Sequence, residues 1–193
     1  MLVSISLFTL LVLLMIMGII VQILNNCLEL LNDPSPGMTM VVVKKRFRQM
    51  LQGIDFLRKC HIAHRDLSLE NLICHEVAEE QRMVIIDFGQ AMKIPEGSDI
   101  VRFTGVAGKE YTRPPELREP YPQYIDLFKV DIYAMGIIFQ RMVKRYINDS
   151  AELAKEKVLQ FSYRMLEQDP TKRLASVEKL LNLLAEIPRF ESA

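Results

Sequence analysis

Asp66, Asn71 and Asp87 are the residues of this chain whose types and spacing suit one reaction. Phosphoryl transfer asks little covalent chemistry of a protein. It needs a carboxylate to orient a hydroxyl and accept its proton, and oxygen ligands to hold magnesium against the phosphates. A carboxylate and an amide five residues apart on one tight loop, as in Asp66 and Asn71, can face a common point. A second carboxylate, Asp87, ends a β-branched run and stands just before Gly89, which permits a sharp bend.

The elements that must position these groups follow from hydrophobic periodicity. Val43, Phe47, Met50, Leu51, Ile54 and Leu57 recur at helical spacing, with Lys44, Arg48, Gln52 and Arg58 between them. A helix over Val41 to Leu57 therefore leads into the polar stretch His64 to Asn71. Met83 to Ile86 predicts a strand that ends at Asp87. Residues 90 to 125 are rich in Pro, Gly and charge and predict a long ordered loop. Val130 to Val143 is apolar on nearly all sides and predicts a buried helix. Ala151 to Leu166 and Ser176 to Ala185 predict amphipathic helices separated by Asp169-Pro170, with Ser176 as an N-cap. Asp33-Pro34-Ser35-Pro36-Gly37 is a turn-rich break.

Composition narrows the function classes. The chain has 193 residues, half of them apolar, and a formal net charge of zero. No basic field argues for nucleic acid. The three cysteines, Cys27, Cys60 and Cys74, suit a reducing compartment better than a disulfide framework. No Cys or His spacing fits a zinc site.

Residues 1 to 32 differ from the rest. They contain no Lys or Arg and one acid, Glu29, and in the run Leu7 to Leu24 the only strongly polar side chain is Gln22. A helix of about 20 such residues spans a bilayer core. The basic start and small-residue cleavage site of a signal peptide are absent. Membrane contact through residues 2–24 is the expectation, as a single-pass anchor with the remainder cytosolic; a buried core helix in a cytoplasmic protein, or translated sequence foreign to the domain, is the alternative.

Residues 38–188 resemble the C-terminal lobe of eukaryotic protein kinases of the serine/threonine type. The markers stand in family order. They are His64-Arg65-Asp66-Leu67-Ser68-Leu69-Glu70-Asn71, Asp87-Phe88-Gly89, Pro114-Pro115-Glu116, Asp131-Ile132-Tyr133-Ala134-Met135-Gly136 and Asp169-Pro170-Thr171-Lys172-Arg173. The resemblance implies a mainly α fold, a kinase-like C-terminal lobe with a small β-hairpin region around the catalytic loop, after an N-terminal hydrophobic helix. It divides the chain into residues 1–32, hydrophobic, and 33–193, the catalytic lobe. It implies Asp66 as catalytic base, Asn71 and Asp87 as Mg2+ ligands, and Leu72 and Ile73 as the floor beneath the adenine of ATP. It further implies a Glu116–Arg173 bridge, a brace from Asp131 to the backbone near Arg65, a protein substrate and a regulatory partner.

Two positions depart from the family pattern. Ser68 stands where these kinases carry Lys, and Lys109 stands where they carry Thr. In the family the two side chains meet near the transferred phosphate, so Lys109 is expected to restore the missing positive charge and to act with Asp66 in catalysis. Arg65 could bind a phosphate placed on the loop from Gln90 to Arg113, with Thr104 the favoured acceptor. No Gly-x-Gly-x-x-Gly is present, and Val41-Val42-Val43-Lys44 reads as helix rather than as the small lobe's lysine strand. The expectation is a kinase that lacks its small lobe and is weak or inactive alone. The alternatives are a non-catalytic kinase-like interaction module and an incomplete gene product.

Overall fold

A computed structural model describes residues 40–77, 80–118, 121–149 and 152–188. These form four α-helices and three two-stranded antiparallel sheets. Helix α1 spans Met40–Lys59, α2 Leu127–Asp149, α3 Glu152–Met165 and α4 Val177–Glu186. The fold of the described residues is thus mainly helical, as the sequence predicts.

One core joins the helices. The apolar stripe of α1, Val43, Phe47, Met50, Leu51 and Ile54, is buried against Ile132, Met135, Ile138 and Phe139 of α2. Phe161 of α3 and Leu180 and Leu184 of α4 complete it. Phe47, Phe139 and Phe161 meet at ring-centroid distances of 4.7, 5.9 and 4.8 Å, two of the three pairs edge-on, a favourable arrangement for aromatic rings. Gly136 lets α2 pass close to the end of α3: a Cβ there would lie 2.8 Å from Leu166 and 2.9 Å from the Met165 Cβ. Ser176 caps α4, its hydroxyl accepting the Lys179 N–H.

The strands frame the polar loop. Strand β2 (Leu72–Val77) pairs with β3 (Glu80–Ile85), with Leu72 opposite Ile85. Strand β1 (Ile62–Ala63) pairs with β4 (Met92–Lys93), and β5 (Ile100–Phe103) with β6 (Gln123–Asp126). The stretch expected as one long loop over 90 to 125 therefore contains three strands and two 3-10 turns, at Glu110–Thr112 and Pro115–Leu117. A second core of Ala63, Ile94, Val101, Leu117, Ile125 and Leu127 lies beneath it. Burying apolar residues at this spacing folds the segment onto itself and against the start of α2.

The expectation of a single-pass membrane protein is corrected. Among the described residues no helix is long and apolar enough to cross a membrane. The two longest, α1 with 20 residues and α2 with 23, carry charges such as Lys44, Arg48 and Asp55, or Lys129, Asp131 and Arg141, along their length. Residues 2–24, on which the expected hydrophobic helix falls, lie outside the described residues.

Candidate active site

The site is built on the turn that follows β1. Asp131, near the start of α2, accepts the His64 N–H on one carboxylate oxygen and the Arg65 N–H on the other, each at 2.7 Å. Arg65 is thereby held at φ 66, a left-handed conformation that a bulky side chain adopts only when its surroundings enforce it. The expected brace from Asp131 is present. Burial, opposed by these two hydrogen bonds, pushes the Asp131 carboxyl up to about 7.

His64 is buried and stands between the loop and the strand end. Its Nε2 lies 2.9 Å from the Ile86 carbonyl, and its Nδ1 lies 3.3 Å from the Asp66 N–H. One nitrogen must donate and the other accept, which is the neutral ring with its proton on Nε2. Desolvation lowers the His64 pKa, against the pull of the Ile86 carbonyl and the Asp66 and Asp87 charges, and so favours that form. Phe88 packs on the imidazole with its centroid 5.0 Å away.

Asp66 and Asn71 are both buried and joined. The Asn71 amide donates to the Asp66 carbonyl at 2.6 Å and to its Oδ2 at 3.3 Å. Asp66 Oδ1 is buried with no hydrogen-bond partner. The Ile86 N–H donates to the Asn71 carbonyl at 3.0 Å, which ties the residue before Asp87 to the loop. Asp87 is exposed, at φ 60, and its carboxylate accepts the Gly89 N–H at 3.2 Å. Leu72 and Ile73 open strand β2 and are buried in its first turn from the loop.

Among the described residues no cluster of three or more His, Cys, Asp or Glu side chains could hold a metal. Mg2+ is held by one or two carboxylates together with substrate phosphates rather than by an all-protein cage. The Asp87 carboxylate and Asn71 amide fit that pattern in donor chemistry, and the Asp66 carboxylate keeps one oxygen, Oδ1, without a hydrogen-bond partner.

Lys109 is held on an acid of the same loop as Asp66. Its ammonium lies 3.0 Å from Glu70 Oε2, and it makes no ion pair with Asp66. The Tyr111 hydroxyl donates to the same oxygen at 2.5 Å. Burial pushes Glu70 up, but hydrogen bonds from Tyr111, its own backbone and Lys109, with a lesser influence of the nearby Ser68 hydroxyl, outweigh it and bring its pKa down to about 2. Burial and Glu70 raise Tyr111 to about 12. The Ser68 hydroxyl is close enough to influence both groups, yet it is fully buried and forms no hydrogen bond of normal geometry. The Arg141 guanidinium of α2 lies 4.0 Å from the Tyr111 ring centroid. The motifs assign no role to Glu70 or Arg141. Glu70 could have been suspected as an acid inside the catalytic loop, whereas Arg141 carries no local signal.

The far end of the loop is fixed by the expected ion pair. Arg173 meets Glu116 through two hydrogen bonds of 2.5 and 3.0 Å, with Arg173 wholly buried. Arg65 turns its guanidinium to the Gln90 carbonyl at 2.6 Å and to the Phe103 ring at 5.0 Å. Thr104, beside that ring, is exposed.

Comparison with known proteins agrees with this arrangement. The family model of the protein kinase domain matches residues 12–151, so the chain belongs to the protein kinase domain family. It is 41% identical over 115 residues to the serine/threonine-protein kinase oca2 of Schizosaccharomyces pombe, covering 58% of this chain and 17% of that protein. It is 34% identical over 92 residues to the human serine/threonine-protein kinase H1, covering 47% and 20%. To the maternal embryonic leucine zipper kinase of Xenopus laevis it is 27% identical over 154 residues, covering 70% and 23%. The first two of these relatives are serine/threonine-protein kinases. The chain spans about a fifth of the length of the curated relatives it matches. The family match begins at residue 12, inside the apolar run.

Proposed function

We propose that the chain carries out transfer of the γ-phosphoryl group of ATP to a Ser or Thr hydroxyl of a protein substrate. The observation that carries the reading is the Asp66 carboxylate: one oxygen is fixed by Asn71 and the other is buried without a partner. An orphaned carboxylate oxygen is costly unless a ligand completes it, and an incoming hydroxyl is a suitable donor. Asp66 orients that hydroxyl and accepts its proton. Asn71 and Asp87 would hold Mg2+, which neutralises charge on the phosphates when bound. Leu72 and Ile73 offer an apolar floor for adenine. Lys109 supplies the positive charge that Ser68 does not, from its place on Glu70.

Thr104 is the acceptor through which an activating phosphate would act. Its support is the Arg65 guanidinium, parked on the neighbouring Phe103 ring and within reach of the loop.

The test is transfer of radiolabel from γ-labelled ATP, with Mg2+, to a protein substrate mixture. Label transferred by the chain and lost in Asp66→Asn supports the reading. Undiminished transfer in Asp66→Asn overturns it. Binding of a protein partner without any transfer would favour the interaction-module alternative.

A further inference from the structure

We infer that Tyr111 is a positioning residue that fixes Lys109 beside the catalytic loop by acting through Glu70. The effect on rate rests on the phosphoryl-transfer reading above; the effect on the loop does not.

A lysine is a poor placeholder for charge. Its ammonium rides on a flexible four-carbon stem with three rotatable donors, so it must be anchored to act at one point. Here the anchor is Glu70 Oε2, shared by the Lys109 ammonium and the Tyr111 hydroxyl. Glu70 belongs to the 3-10 turn Leu69–Asn71, whose last residue holds Asp66. Any movement of Glu70 is therefore felt one residue from the Asn71 amide.

The anchor is itself braced. The Arg141 guanidinium lies over the Tyr111 ring at 4.0 Å, a cation–π distance. Arg141 stands on α2, whose neighbouring residues Phe139, Met142 and Val143 are buried in the main core. A continuous path of contacts runs from that helix through Arg141, Tyr111 and Glu70 to Lys109. It links three segments far apart in sequence and fixes the 3-10 turn Glu110–Thr112 above the catalytic loop.

The alternative is that Tyr111 only fills space. Its hydroxyl would then be dispensable, because the ring and its contact with Arg141 survive in phenylalanine. The shared oxygen of Glu70 argues otherwise: without the phenol, that oxygen loses its 2.5 Å hydrogen bond and holds Lys109 less firmly.

Hydrogen–deuterium exchange of the full chain tests the anchor without requiring activity. In Tyr111→Phe and in Glu70→Gln, the amides of residues 109–113 are expected to exchange about tenfold faster, the factor matching loss of one charge-assisted hydrogen bond. Exchange in α1 should not change, which shows the fold intact. Unaltered exchange of residues 109–113 in Tyr111→Phe overturns the inference. Where the wild-type chain transfers phosphate, Tyr111→Phe and Lys109→Met should each lower kcat while leaving the KM for ATP unchanged. The double variant should be no slower than Lys109→Met alone. Fully additive losses would overturn the path through Lys109. A wild-type chain without transfer refutes the functional reading only, and the exchange result still decides the anchor.

Discussion

Asp131 holds two successive backbone N–H groups, those of His64 and Arg65, one on each oxygen of its buried carboxylate at 2.7 Å. The contact crosses more than sixty residues and sets the shape of the catalytic loop, because it holds Arg65 in the left-handed region. A helix residue thereby determines where Asp66 points. The same residue links the site to pH, since its carboxyl is pushed up to about 7 by burial.

Asp131→Asn is therefore expected to destabilise the chain and to reduce transfer together. An amide offers one acceptor oxygen, so one buried N–H loses its partner at a cost of about 1–3 kcal/mol. Between the ordinary carboxyl value of 3.8 and about 7, the folded state holds a proton that the unfolded chain has lost. Stability contributed by this group is thus full at low pH, falls as pH rises through that window, and is flat above it. Urea unfolding of wild type across the window should show this decline, and Asp131→Asn should lack it.

The Glu116–Arg173 bridge predicts a stability effect of a different kind. Arg173 is 0% exposed at its side chain and Glu116 is 9% exposed. Glu116→Ala leaves a buried guanidinium without its counter-charge and is expected to cost about 3–5 kcal/mol. Replacing Arg173 by Met as well should recover much of the loss. Thermal and urea denaturation of the single and double variants measure both values.

These two contacts were legible in the sequence because the family markers stand in order and each carries its partner. Helix α1 was legible because Val43, Phe47, Met50, Leu51 and Ile54 repeat at helical spacing and all of them are buried. Helix α2 runs beyond the predicted Val130 to Val143 to Leu127–Asp149: its first turn adds Leu127 and Phe128, which belong to the second core, and its C-terminal extension is mostly polar in sequence and does not announce a helix. Asp126 gave a usable signal there: its carboxylate accepts the Phe128 and Lys129 N–H groups as a cap. Strand β5 was hidden. Ile100-Val101-Arg102-Phe103 alternates in burial, but its neighbours are loop-forming, and its pairing with β6 is set by the second core. The Glu70–Tyr111 bond joins residues 41 apart, and no periodicity records such a pair.

Gly108 predicts a sharper phenotype than its place in a loop suggests. Its φ is +74, and a Cβ there would lie 2.7 Å from the Arg65 carbonyl oxygen. Backbone cannot move aside as a side chain can. Gly108→Ala is expected to cost about 1–3 kcal/mol in backbone strain and to push the segment off the catalytic loop. Transfer should fall while the packing of α1 against α2 remains, which hydrogen exchange resolves by region. Equal protection of residues 105–113 in wild type and variant would show that the close approach is not needed.

The last expectation concerns what pH does not do. Glu70 is brought down to about 2 and Tyr111 is raised to about 12. For Glu70, a lowered folded value means stability present above the ordinary 4.5 and lost as pH falls through about 2. For Tyr111, a raised folded value means stability present below the ordinary 10 and lost as pH rises through about 12. Between 4.5 and 10 neither group changes its charge state, so the Lys109–Glu70–Tyr111 contact should persist across that interval. Exchange of residues 109–113, corrected for the intrinsic pH dependence of amide exchange, should therefore be constant in wild type from above the Asp131 window, about 7, up to 10. Tyr111→Phe should be equally constant but uniformly faster, because it removes a donor and no charge. A protection factor that changed within that narrower range would show that some other titrating group governs the loop.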